Sequence, residues 1–173
     1  MAHTMSSKSH AHAHSYEHDK TDWSAAVWAG VIAGIVFMMA EMLMVMVFMG
    51  QSPWGPPRMI AAIIMGQNVL PPPATFDIGI MMSAMVVHFP MSIVLGLIAG
   101  WIVHRMNSTS ALLVGGIFGL AVYFVTFYLI APAMFPWFTM AQNWVSLVAH
   151  LMFGLVLGGV YAALRKPKPA VQR

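Results

Sequence analysis

Residues 77–103 read DIGIMMSAMVVHFPMSIVLGLIAGWIV. The run is long enough to cross a hydrocarbon core of ~30 Å, which takes about 20 helical residues. At helical spacing His88, Ser92, Gly96 and Gly100 fall on one ridge of it. A polar ring, a hydroxyl and two glycines in line mark the face that meets other helices, because small residues let backbones approach closely. The ridge returns 62 residues later as His150, Gly154, Gly158 and Ala162, and Asp77 and Thr139 stand as matching caps eleven residues before their histidines. We read the two stretches as an internal repeat.

Three further apolar runs, near 24–49, 110–131 and 140–164, are also long enough to span. The sequence therefore predicts an all-α integral membrane protein, a four-helix transmembrane bundle built from two tandem hairpins of the same orientation. Residues 1–22 form a polar, disordered tail, 23–104 the first two-helix repeat with an interfacial segment, 110–164 the second repeat, and 165–173 a basic tail. Composition agrees: 60% of the 173 residues are hydrophobic, against eight Lys or Arg and five Asp or Glu. The first run follows 22 polar residues and is too long for a signal peptide, so it reads as a retained helix. With no cysteine, neither a disulfide framework nor a thiolate metal site is available.

Seven of the eight basic residues (all but Arg58) lie in the two tails and the 104–110 connection, which share one side of a four-helix chain. The positive-inside rule then puts both termini in the cytoplasm of a bacterial inner membrane. All six tryptophans fall near helix ends, as an aromatic belt requires. The net charge of +3 is accounted for by this topology and gives no reason to expect nucleic acid. The turn SPWGPPRMIAA (52–62) and the two-hairpin layout resemble small bacterial inner-membrane proteins, a resemblance that brings no function with it.

Helix one carries the small row Ala26, Gly30, Gly34 and, on the same face, Glu41; helix three repeats it 85 residues on as Ala111, Gly115, Gly119 and Thr126. Glu41 is the one formally charged group deep in a span, where it costs at least ~2.5 kcal/mol and needs a partner inside the bundle. Six methionines from Met38 to Met49 surround it. Thioethers bind Cu(I), but methionines on every side of a helix are read first as packing filler, with Met38 the one placed near the site. Between helices one and two, Pro56 and Pro57 suit a helix start, Arg58 to Gly66 is too short to span, and Arg58 is free to bind lipid phosphate or reach Glu41. Pro90, two residues past His88, invites a kink.

Counting ~1.5 Å per residue from the cytoplasmic ends places Glu41, His88, His150 and Thr126 in one layer, above the glycine rows, in a cup open to the periplasm. Two imidazoles and a carboxylate suit a transition metal, copper first among them, with Met38, Arg58, Ser92 and Thr126 around the ligands. The same layer admits a haem b between the two histidines, a proton-coupled transport site, or a structural polar network with no cofactor at all. The histidines of the tail, His3, His10, His12, His14 and His18, are either a metal-collecting tract or a leader without a role. No enzyme signature is present. The expected function is metal handling. The alternatives are a non-catalytic accessory subunit of a respiratory-type membrane complex, a bis-histidine haem protein and a proton-coupled transporter. The expected partners are lipid, other membrane proteins or further copies of the chain.

Overall fold

The computed structural model describes residues 20–70 and 72–166; the five tail histidines, with Lys8, Lys168 and Arg173, lie outside them. Helix α1 runs Trp23–Met49, α2 Gly55–Met65, α3 Ile78–Val103, α4 Ser108–Phe124 and α5 Trp144–Leu164. Helix α4 continues through a π-helical stretch, Val125–Ile130, into a last turn, Ala131–Met134. Pro132 sits in that turn without an N–H to give Tyr128, and a π segment is the backbone's way of absorbing such a break. Four helices, Trp23–Met49, Ile78–Val103, Ser108–Met134 and Trp144–Leu164, are long and apolar enough to cross a membrane, and no strand occurs among the described residues. Large apolar side chains such as Leu43, Phe48, Val86, Trp101, Ile117 and Leu129 cover their outer faces, a surface that suits lipid.

Short polar side chains start all four spans. Asp22, Asp77, Asn107 and Asn143 accept from the backbone N–H of Ala25, Ile80, Ser110 and Ser146, each satisfying a donor the helix leaves open. The fourth cap corrects the expectation of a cap at Thr139. Residues Pro136–Ala141 form a 3-10 turn in which the Thr139 hydroxyl donates back to Pro136 O, and Asn143 has the better side chain for the cap. The cap register of the two histidine helices therefore differs, eleven residues before His88 and seven before His150. Helix α3 stays continuous across Pro90.

Packing is set by the glycine rows. A Cβ on Gly30 would stand 2.6 Å from Ser92 O, and one on Gly96 2.6 Å from Ala26 O, so α1 and α3 touch backbone to backbone. Gly115 and Gly119 of α4 meet Gly154 and His150 of α5 in the same way. Adding 85 to the α1 position and 62 to the α3 position converts one set of contacts into the other. Helices α1 and α5 also pack together at the centre, whereas α3 and α4 scarcely meet.

Near the chain termini the bundle is closed by Ala26, Ala29, Val103, Ala111 and Tyr161, all nearly inaccessible. There Arg165 donates to His104 O and Met106 O, tying the fourth span to the α3–α4 turn. At the opposite, loop end α2 folds inward, burying Ile60, Ala61 and Ala62 against α3, and the Trp137 indole donates to Met59 O. Two connections 78 residues apart in sequence are thereby joined into one cover.

Candidate functional site

Glu41 is 6% exposed and faces the bundle interior from α1. Its Oε1 accepts a hydrogen bond of 2.6 Å from the Ser146 hydroxyl of α5. Its Oε2 is the one fully enclosed side-chain nitrogen or oxygen among the described residues that has no partner. The carboxyl borders a cavity of about 170 Å³ on the loop side, which Gln51, Arg58, Asn143 and Ser146 also line. Arg58 does not neutralise it. The guanidinium donates to Val69 O at 2.7 Å, Thr75 O at 3.0 Å and Thr75 Oγ1 at 3.4 Å, holding the linker between α2 and α3.

The two histidines are fixed by backbone carbonyls. A carbonyl oxygen only accepts, so the nitrogen facing it carries the hydrogen. His88 Nε2–H donates to Gly34 O of α1 at 2.9 Å, and His150 Nδ1–H donates to Ser146 O, one turn earlier, at 2.7 Å. Neutral His88 therefore keeps an unprotonated Nδ1, and neutral His150 an unprotonated Nε2. Both rings line a second cavity of about 480 Å³, together with Ser92 and Thr126. Neither free nitrogen is among the fully enclosed, unpartnered atoms, and of the two cavities only this one is lined by the histidines.

Glu41, His88 and His150 are linked through other side chains rather than to one another. Phe37 lies parallel to the His88 ring, with centroids 5.8 Å apart, and edge-on to the His150 ring at 4.7 Å. Ser146 bonds Glu41 through its hydroxyl and His150 through its carbonyl. Among the described residues no three His, Cys, Asp or Glu are gathered to hold a metal ion, so the expected ligand trio is not assembled. A haem between the imidazoles would have to displace Phe37. The single cup is also corrected: Phe37, Ile60, Phe127 and Phe138 border both cavities and form a partition between them.

Of the surrounding residues, Ser92 and Thr126 stand with the histidines and Arg58 with Glu41. Met38 instead packs with Ile60, Ala61 and Ala84 and lines neither cavity, and Met39 and Met46 point outward. Sequence reasoning passed over Ser146 and Phe37, although each lies four residues before a residue it did select, on the same helical face. It also passed over Phe127 and Tyr123, whose rings touch His150 at 5.3 and 5.5 Å. The π segment re-aims this part of α4, and Gln142 donates to the Phe127 carbonyl at 2.6 Å. No family model, curated protein or solved structure matches the chain, so its own residues carry the functional reading.

Proposed function

We propose that this multi-pass membrane protein is proton-coupled, with Glu41 as the group that takes up and releases the proton. The carrying observation is the Glu41 carboxyl itself: buried at membrane depth, bonded through one oxygen, with the other enclosed and unpartnered, in a residue that borders a cavity at the loop end. A carboxylate in that position needs a counter-charge, and Arg58, the cation on the same cavity, is turned to Val69 O and Thr75 instead. A proton arriving through the loop-side cavity meets that need and leaves again by the same route. In the orientation expected from the basic residues, with both termini in the cytoplasm of a bacterial inner membrane, this cavity faces the periplasm. The opposite half is sealed by small-residue packing, so access is one-sided until the bundle or the aromatic partition rearranges.

The test is proton uptake into liposomes driven by an imposed potential. Wild-type protein should exceed protein-free vesicles, and Glu41→Gln should fall to their level while remaining folded. Equal uptake by the two proteins would overturn the reading.

Transition-metal handling is placed second. It retains one open nitrogen on each of His88 and His150 but lacks the carboxylate, which bonds Ser146 instead. Elemental analysis of the chain without residues 1–22 decides it. An accessory role in a larger complex rests on the apolar outer faces alone, and recovery of partners after mild extraction would favour it.

A further inference from the structure

The larger cavity has a chemistry of its own, independent of Glu41. It lies where α3 and α4 part, and its rim carries Met91, Ile98, Ala121 and Val125, exposed residues well inside the two spans. The opening is therefore sideways, at the level of the lipid chains, rather than toward either aqueous face. The loop end is roofed by Ile60, Ile63, Phe135 and Phe138. At about 480 Å³ the space lies within the ~300–1,000 Å³ range of small-molecule pockets.

Its lining excludes most ligands. No Asp, Glu, Lys or Arg borders it, so neither an anion nor a cation finds a counter-charge. Phenylalanines contributed by α1, α4, α5 and the second loop present flat apolar faces and edges. The two imidazoles, held by Gly34 O and Ser146 O in the tautomers described, offer acceptors rather than donors. Only the Ser92 and Thr126 hydroxyls can act both ways. The complement is a neutral, flat, membrane-dissolved molecule that carries O–H donors on an aromatic ring.

We propose that the cavity between α3 and α4 binds a hydroquinone, entering from the bilayer, with a ring hydroxyl donating to His150 Nε2 or His88 Nδ1. A hydrophobic tail on such a molecule leaves through the same lateral gap. The oxidised quinone has the same outline but only acceptors, and it binds more weakly to neutral imidazoles fixed in this way.

The experiment is calorimetric titration of the full-length protein in phospholipid nanodiscs with a short-chain hydroquinone, and with its dimethyl ether, which keeps the ring and its substituents and removes both donors. The hydroquinone should bind, and the ether should bind about tenfold more weakly, the scale of one lost buried hydrogen bond. His150→Phe, which keeps the volume and deletes the acceptor, should lower hydroquinone affinity by a similar factor. Ala121→Trp, at an exposed rim position where folding is spared, should abolish binding of both compounds. Equal affinity for hydroquinone and ether overturns the proposal, as does binding that survives Ala121→Trp. Absence of binding to the folded protein also overturns it, whether the gap then proves to hold only lipid chains or a helix of a second copy. Those outcomes leave the Glu41 reading intact, because that is judged on proton uptake.

Discussion

Ser146 shows how much of the site hangs on single atoms. Its hydroxyl donates to Glu41 Oε1 and its carbonyl accepts from His150 Nδ1, so one residue sets both the carboxyl's orientation and the imidazole's tautomer. The residue-level signals in the sequence were of unequal value. Glu41 and the two histidines stood out because polar groups at membrane depth are costly, and all three are buried as that argument requires. Their assembly into one ligand set did not follow, because equal depth fixes height along the helix axes and says nothing about what fills the space between them. Phe37 fills it, and one more phenylalanine in an apolar helix carries no signal.

The four spans stand close to where the apolar runs placed them, and the small-residue rows meet backbone to backbone. Gly154 is the sharpest case, since a Cβ there would run into Gly115 O and crowd Gly119 N at 2.8 Å. Neither atom can swing aside as a side-chain tip could. Gly154→Ala should therefore destabilise the protein by about 1–3 kcal/mol, the usual cost of overpacking, whereas Gly55→Ala, with open space around it, should be nearly neutral in the same unfolding assay. These contacts were legible because glycine spacing maps directly onto a helix face. The boundary of the fourth span was not: Thr139 to Gln142 satisfies a capping pattern, but Asn143 has the competing side chain and takes the cap. The π segment of α4 was equally hidden, since it depends on where Pro132 falls relative to the last turn and on Gln142 reaching the Phe127 carbonyl.

At the scale of the whole molecule, α1 and α5 form a central pair with α3 and α4 on its flanks. That arrangement leaves a lateral gap between α3 and α4, and the inward fold of α2 divides the interior from the loop end. No pattern in the sequence announced the gap, because it comes from which helices fail to touch. The orientation of the bundle is open to direct measurement, helped by the absence of native cysteine. In intact bacterial cells a membrane-impermeant thiol reagent should label Gly55→Cys at the loop end and leave Ser108→Cys unlabelled until the membrane is permeabilised. The reverse pattern would turn the Glu41 cavity toward the cytoplasm.

The central claim is that Glu41 is kept for proton exchange and not for holding the helices together, and the thermal unfolding of Glu41→Met tests it most directly. An apolar side chain of similar length removes the unpartnered oxygen and lets the Ser146 hydroxyl turn to a carbonyl of its own helix. Such replacements of buried polar groups are often neutral or stabilising. The account predicts a Tm at or above that of the wild type, together with loss of proton uptake. A clearly lowered Tm would show that the Glu41–Ser146 bond is structural, and would contradict it.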